Sequence, residues 1–223
     1  MSYAIAIDGP AGAGKSTIAK RVSEHLNILY LDTGAMYRAI GYAALSQGIS
    51  PRDAEAVEAM LLTTSLTIDF IAGEQHVILN NNDVTALIRT PEMSRAASDI
   101  SALPIVRHFL VARQREIARM QPLVMDGRDI GSYVLPDAPC KFFLTASPEE
   151  RARRRLKDLR AAGDQTATIE SVLAEMLYRD QQDSTRTMAP LVQVPDAVLI
   201  DTTHSTIDEV VQTMVDCINK RVL

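Results

Sequence analysis

Short, mainly apolar runs alternate with helical patterns along most of this chain. Between the runs, apolar residues recur every three or four positions, as Ile18, Val22 and Leu26 do, which is typical of amphipathic helices. Strands that are apolar on both faces and separated by helices predict a parallel sheet with helices packed on both sides, an α/β fold of three layers. The five runs that we interpret as strands of this sheet span residues 3–8, 28–32, 122–126, 141–146 and 197–201.

One segment interrupts this alternation. Residues 51–63 have a helical pattern that begins at Pro51, and polar and apolar residues then alternate in 65–71 and 76–80. Such alternation predicts antiparallel strands with one buried face, and the Asn-rich residues 80–83 predict a turn. We therefore expect a small antiparallel sheet inserted into the α/β fold.

Further helices are predicted, and two of them are rich in Arg. The four further helices span residues 91–100, 104–120, 147–162 and a stretch that begins near Ile169. The third starts with Ser147, Pro148 and two acidic residues, the types preferred at a helix N-terminus. We interpret the last two helices, joined by a turn that contains Gly163, as a lid over a ligand site. A charged, exposed helical hairpin without function would show the same pattern.

Composition narrows the classes of function. The chain has 223 residues, 47% of them hydrophobic, and a formal net charge of −5, which argues against a nucleic-acid polymer as the main partner. No apolar run approaches the roughly 20 residues needed to span a bilayer, so we expect a cytoplasmic protein without membrane association. The two Cys and four His show no metal-ligand spacing. Most of the 23 basic residues are Arg, which makes forked contacts with phosphate oxygens, and this favours a small, phosphate-rich ligand.

The clearest motif spans residues 9–17 and reads GPAGAGKST. It matches G-x-x-x-x-G-K-[ST], follows a predicted strand and opens a predicted helix, as that motif requires. In such a turn the backbone N–H groups bind phosphates, Lys15 neutralises them, and the Ser16 hydroxyl can bind Mg²⁺. The motif predicts a nucleoside triphosphate site formed by Gly9, Pro10, Ala11, Gly12, Ala13, Gly14, Lys15, Ser16 and Thr17.

Two other strands end in polar groups. The strand at 28–32 leads directly into Thr33 and Arg38, and the carboxyl ends of parallel strands meet at one edge of a sheet. We therefore expect Thr33 and Arg38 to hold a second anion opposite the first motif, although Thr33 would suit a plain helix N-cap equally well. The strand at 122–126 ends in Asp126. In P-loop proteins a second motif, an apolar strand that ends in an acidic residue, lies on the metal side of the site.

The second lid helix carries Arg179, Asp183 and Arg186 at a spacing that places them on one helix face. Two interpretations stay open. Arg179 and Asp183 can form an exposed i,i+4 ion pair of small energy, or the two guanidinium groups and the carboxylate can face the ligand together.

These motifs resemble those of bacterial-type cytidylate kinases, which belong to the nucleoside monophosphate kinases. The resemblance covers essentially the whole chain. It rests on residues 8–16, on LDTGAMYR at 31–38, on DGRDIG at 126–131, and on the run from Arg179-Asp180 through Asp183 and Arg186 to Ala189-Pro190-Leu191. It implies an enzyme of pyrimidine metabolism that transfers the γ-phosphate of ATP, bound with Mg²⁺, to CMP or dCMP.

The resemblance also implies a role for each matched residue. Thr33, Arg38, Arg128 and Arg186 would hold the acceptor phosphate, Ser98, Arg107 and Asp129 the cytosine, and Arg179 and Asp183 the ribose. Catalysis would rest on Lys15, Arg128, Arg186 and one lid arginine, for which we select Arg155 from the cluster at 151–155. Asp129 has an alternative interpretation, as an ion-pair partner that only braces Arg128 or Arg107.

The implied organisation is one monomeric P-loop kinase domain with three regions. The core would comprise residues 1–33, 120–150 and 190–223. The acceptor-binding region would comprise 34–119, with the inserted sheet at about 65–85, and the helical lid would comprise 151–189.

Two other functions fit parts of the pattern. A P-loop kinase for AMP, UMP or a small alcohol would keep the fold, and an alcohol acceptor would need a general base, for which Asp32 is the only candidate. A GTPase-type switch protein would carry N-K-x-D after a strand. The only Asn-Lys pair, Asn219-Lys220, lacks the Asp and lies in the predicted last helix.

Overall fold

Five parallel strands form the central sheet of the structure, a computed structural model that describes residues 3–161 and 163–222. In chain order the elements are β1 (Ala4–Asp8), α1 (Lys15–Leu26), β2 (Leu29–Asp32), α2 (Thr33–Ser46), α3 (Ala54–Leu61), β3 (Leu66–Ile71), β4 (Glu74–Leu79), β5 (Asn82–Asp83), α4 (Pro91–Ile100), α5 (Pro104–Met120), β6 (Leu123–Gly127), a π-helical turn (Ile130–Val134), β7 (Cys140–Thr145), α6 (Pro148–Ala161), α7 (Ile169–Thr185), β8 (Val198–Asp201) and α8 (Ile207–Arg221). The order across the large sheet is β2-β6-β1-β7-β8. The loops after β2, β6 and β1 are therefore neighbours.

The two faces of this sheet are both covered by helices. Successive residues of β1 point to opposite faces, so Ile5 and Ile7 pack with residues of α1 and α8, whereas Ala4 and Ala6 pack with residues of α2 and α5. Every residue of β1 and of β6 is buried. The predicted three-layer α/β fold with five parallel strands is confirmed.

The inserted antiparallel sheet has the order β3-β4-β5 and pairs Leu66 with Leu79. Asn80 and Asn81, with φ of 48° and 65°, form the predicted turn. The sequence pattern predicted two strands, and that count was wrong because β5 has only two residues, too few to show alternation. The Gln75 side chain joins this sheet to the end of β2, since its Oε1 accepts from Asp32 N at 2.7 Å and its Nε2 donates to Asp32 O at 3.2 Å.

Two predicted helix starts were wrong. Helix α3 begins at Ala54 rather than Pro51, because the Asp53 carboxylate caps it by accepting from Ala56 N at 3.1 Å. Helix α2 begins at Thr33, but its N-cap is Asp32, which accepts from Ala35 N at 2.9 Å. Thr33 is thus not an N-cap.

The predicted lid helices are present as α6 and α7. Ser147 Oγ accepts from Glu150 N at 3.2 Å and caps α6 as predicted, while Ala162, the predicted end of this helix, lies outside the described residues. The two helices share a small apolar cluster that also contains Ala11 of the 9–17 motif. Within the described part of the chain, no helix combines the length and the apolar character that crossing a bilayer requires.

Candidate active site

A cavity of about 680 Å³ lies where the loops after β1, β2 and β6 meet the lid helices. This volume lies in the usual range for small-molecule sites. Most of the residues singled out from the sequence line it, namely Ala11, Gly12, Gly14, Lys15, Ser16, Thr17, Thr33, Arg38, Ser98, Arg128, Asp129, Arg155, Arg179, Asp183 and Arg186. Gly9, Pro10, Ala13 and Arg107 do not belong to the lining.

The 9–17 loop has backbone conformations that favour glycine. Gly9 has a φ of +146°, and a Cβ there would stand 2.0 Å from the carbonyl oxygen of Leu144. Gly14 is left-handed, with a φ of +86°, and forms the N-cap of α1. These conformations let the loop turn from β1 directly into the helix N-terminus, where anions are stabilised.

Lys15 is buried at the bottom of the cavity, where its Nζ donates to Pro10 O at 2.7 Å. Burial and the nearby Arg128 lower the pKa of Lys15 to about 7. A phosphate group placed beside Nζ would supply the missing negative partner and raise this pKa again.

Asp126, at the end of β6, is held by two hydroxyl groups. Ser16 Oγ donates to Oδ2 at 3.1 Å, and Tyr30 Oη donates to Oδ1 at 2.8 Å. Burial raises the pKa of Asp126 to about 6, and repulsion from the Asp32 carboxylate is the second largest cause. A hydroxyl and a carboxylate side by side are hard oxygen donors of the kind that Mg²⁺ prefers. The described residues contain no group of three or more His, Cys, Asp or Glu that could hold a metal ion.

Thr33 and Arg38 line the same cavity as the 9–17 loop. Thr33 Oγ1 donates to Asp126 O at 2.7 Å, and Arg38 Nη2 donates to Asp32 Oδ2 at 2.8 Å. Burial alone would raise the pKa of Asp32, but Arg38 and Arg89 hold it below its usual value. Asp32 is therefore a helix cap and an ion-pair partner.

Asp129 joins two arginines from distant parts of the chain. One carboxylate oxygen accepts from Arg107 Nη2, and the other accepts from Arg186 Nη2 at 3.0 Å. Arg107 is fully buried. Of the two expected ion pairs of Asp129, the one with Arg107 is present and the one with Arg128 is not, because Arg128 instead donates from Nε to Asp183 Oδ2 at 2.8 Å.

Arg179, Asp183 and Arg186 face the cavity together, although in a different arrangement from the predicted one. Helix α7 ends at Thr185, so Arg186 is its C-cap. Within the described chain Asp183 pairs with Arg128 and, at 3.7 Å, with Arg186, so the alternative of an Arg179–Asp183 ion pair was wrong. Burial and the nearby Arg128 lower the pKa of Arg179 to about 10.

The lid arginines differ in their contacts. Arg153 is exposed and pairs with Glu150, and Arg154 donates to Thr202 O at 2.5 Å. Arg151 is buried and does not line the cavity. Arg155 lines the cavity and has no hydrogen bond or ion pair with another described residue.

A model of the cytidylate kinase family matches residues 5–220. The chain belongs to the cytidylate kinase family. Two relatives named cytidylate kinase are those of Limosilactobacillus reuteri strain DSM 20016, 48% identical over 97% of this chain and 95% of that protein, and of Desulforamulus reducens, 50% identical over 97% and 96%. An uncharacterised protein of Eubacterium ventriosum has a similar fold, with a TM-score of 0.54 and 13% identity over 99% of this chain and all of that one. The resemblance seen in the motifs is confirmed.

In this member of the cytidylate kinase family, several residues that line the cavity carry buried, unpaired polar atoms. Among the described residues these atoms are Tyr37 Oη, Arg38 Nε, Ser98 Oγ and Arg179 Nε, and behind the lining Arg107 Nε and Nη1 are unpaired as well. Buried polar groups are normally hydrogen-bonded. A polar ligand in the cavity would give these groups partners.

Three residues near the site were not assigned a role from the sequence of this kinase. Tyr37 belongs to the 31–38 motif, but an aromatic residue in a helix more often packs in the core. Tyr30 lies in a predicted strand, and Asp126, the acceptor of its hydrogen bond, is 96 positions away in the chain. Asp8 accepts from Ile130 N and Gly131 N, both at 2.7 Å, and so holds the turn that follows Asp129. Its position directly before Gly9 was the only available signal.

Proposed function

We propose that this enzyme transfers the γ-phosphate of ATP to CMP or dCMP and releases ADP with CDP or dCDP. The observation that carries the proposal is the cavity itself. It is lined both by the 9–17 loop and by residues with buried, unpaired hydrogen-bonding groups.

The triphosphate would occupy the 9–17 loop. Its backbone N–H groups and Lys15 face the cavity, and Arg155 on the lid has a free guanidinium group to offer. When bound with ATP, Mg²⁺ would neutralise phosphate charge, and Ser16 and Asp126 would hold it. Charge neutralisation and alignment are the main sources of rate in phosphoryl transfer.

The acceptor phosphate would lie among Thr33, Arg38, Arg128 and Arg186. A nucleoside monophosphate is already anionic at neutral pH, so the attacking oxygen needs no general base. An alcohol acceptor would need one, and Asp32 is unsuited to this role because Arg38 and Arg89 hold its pKa below the usual value. This argues against the alternative of an alcohol kinase.

The base and ribose would occupy the end of the cavity that holds the unpaired atoms. Cytosine presents an amino donor at its 4-position and an acceptor at N3. Asp129 keeps free lone pairs beyond those used by Arg107 and Arg186, so it can accept from the amino group. The unpaired Ser98 Oγ would bind the remaining edge of cytosine, with the buried Arg107 behind Asp129, and Arg179 and Asp183 would bind the ribose.

The proposed regions follow from these positions. Residues 34–119 would bind the acceptor, 151–189 would close over ATP and exclude water, and the remaining residues would form the core. The cytoplasmic location and the monomeric state of the enzyme stay predictions.

A coupled assay of ADP release tests the proposal. With ATP and Mg²⁺, we expect turnover with CMP and dCMP and at least tenfold lower kcat/KM with UMP and AMP, as hydrogen-bonded sites discriminate steeply. Turnover with a small alcohol but not with CMP would refute it.

A further inference from the structure

The peptide groups on both sides of Ala11, in the phosphate-binding loop, are held by the two lid helices. Ala11 N donates to Asp180 Oδ1 of α7 at 3.2 Å, and Arg151 Nη1 of α6 donates to Ala11 O at 3.0 Å. The same Nη1 donates to Asp180 Oδ2 at 2.5 Å. The three residues therefore form a closed set of hydrogen bonds between loop and lid.

Packing reinforces this set. The methyl group of Ala11 belongs to the apolar cluster of the lid, with Leu159, Val172 and Met176. Arg151 is buried, and its Nε donates to Ala146 O at 3.1 Å, just beyond the end of β7. The guanidinium group thus connects the central sheet, the loop and helix α7.

Neighbouring residues of the loop leave it little room to move. A Cβ on Gly12 would stand 2.7 Å from the Met176 side chain and 3.0 Å from the Arg151 carbonyl oxygen. Pro10, on the other side of Ala11, receives the Lys15 ammonium on its carbonyl group. A shift of the Ala11 peptide would therefore displace the groups that face the phosphates.

We propose that Arg151 and Asp180 are positioning residues that hold the phosphate-binding loop in its ATP-binding shape. Neither lines the cavity, so they act through Ala11 rather than by touching ATP. The proposal rests on the function proposed above and adds that the loop and the base of the lid form one unit. It also gives Arg151 and Arg155 different roles, because Arg155 faces the cavity and Arg151 does not.

Substitutions at Asp180 test this role. Asp180→Ala removes both contacts. Asp180→Asn keeps an acceptor for Ala11 N but points an amide donor at Arg151. Gln181→Ala, an exposed neighbour on the same helix, is the matched control. Calorimetry measures the Kd of ATP and of CMP separately for each variant, and steady-state kinetics gives the two KM values.

We expect Asp180→Ala to weaken ATP binding about tenfold, the size of one lost charge-assisted hydrogen bond, with Asp180→Asn intermediate. The Kd of CMP should stay within about twofold, which also shows that the variant is folded. Unchanged ATP binding, or equal losses for ATP and CMP, would overturn the positioning role. Because ATP binding is measured without transfer, a wild-type protein that fails to phosphorylate CMP would refute the proposed function and leave this test intact.

Discussion

Replacing Asp8 with Asn should remove a loss of stability that grows with pH, while impairing the protein as an enzyme. Asp8 is buried at the end of β1, and its two carboxylate oxygens accept from Ile130 N and Gly131 N. Burial raises the pKa of Asp8 from 3.8 to about 6, although both hydrogen bonds and Lys15 lower it. The charge is therefore unfavourable in the folded state, and Asn removes it.

The size of the effect follows from the pKa. A rise from 3.8 to about 6 corresponds to ~3 kcal/mol above pH 7. Between pH 3.8 and about pH 6 the folded protein binds more protons than the unfolded chain, so the free energy of unfolding falls as the pH rises through this window. Asn has no such titration. The stability of Asp8→Asn relative to the wild type should therefore rise with pH, by roughly 1 kcal/mol between pH 5 and pH 8.

Urea unfolding of the ligand-free wild type and Asp8→Asn at pH 5 and pH 8 measures this difference. Asp164→Asn is the control: bonds from Thr166 lower the pKa of the exposed Asp164, so its difference in stability from the wild type should not change between pH 5 and pH 8. The KM for CMP should rise in Asp8→Asn, since the Asn amide would point a donor at a backbone N–H and displace the turn after Asp129. A stability difference that does not grow with pH would refute the reasoning.

Three other substitutions test the site. Lys15→Ala should abolish transfer and leave the fold intact, and near-normal turnover of the folded variant would contradict the assignment of the phosphate-binding loop. Arg186→Ala should lower kcat/KM by about one to two orders of magnitude, equally for CMP and dCMP, since a charge-assisted contact contributes ~1.5–3 kcal/mol; a change in Tm alone would show that Arg186 is structural. Asp129→Asn should reduce activity on CMP and narrow the preference for CMP over UMP, and an unchanged ratio of the two kcat/KM values would leave base selection to Ser98, Arg107 or the inserted sheet.

Local patterns made much of the fold predictable. The strand before Gly9, the glycines and the helix after Lys15 are adjacent in sequence, so the phosphate-binding loop could be identified from one short motif. Thr33 and Arg38 could be placed near it because both follow a strand of a parallel sheet. The start of α3 was missed by three residues because Pro51 suits a first helical turn, whereas the Asp53 side chain determines where the helix begins.

The pairings within the site were not predictable, because they join residues far apart in the chain. Asp129 meets Arg107 across 22 positions and Arg186 across 57, and which of several arginines it would choose depends on packing. The contact of Asp8 with the turn at 130–131 spans more than a hundred positions. Composition marked the arginines as phosphate ligands, but only the packed structure separates Arg155, which faces the cavity, from Arg151, which is buried behind it.

The most direct test of the central claim follows the phosphate itself. The wild-type enzyme is incubated with Mg²⁺, CMP and ATP labelled in its γ-phosphate, and the products are separated. We predict that the label appears in CDP, with little in inorganic phosphate, because acceptor and donor would share one cavity that the lid would close to water. Label found in inorganic phosphate, or in another acceptor while CMP stays unlabelled, would contradict it.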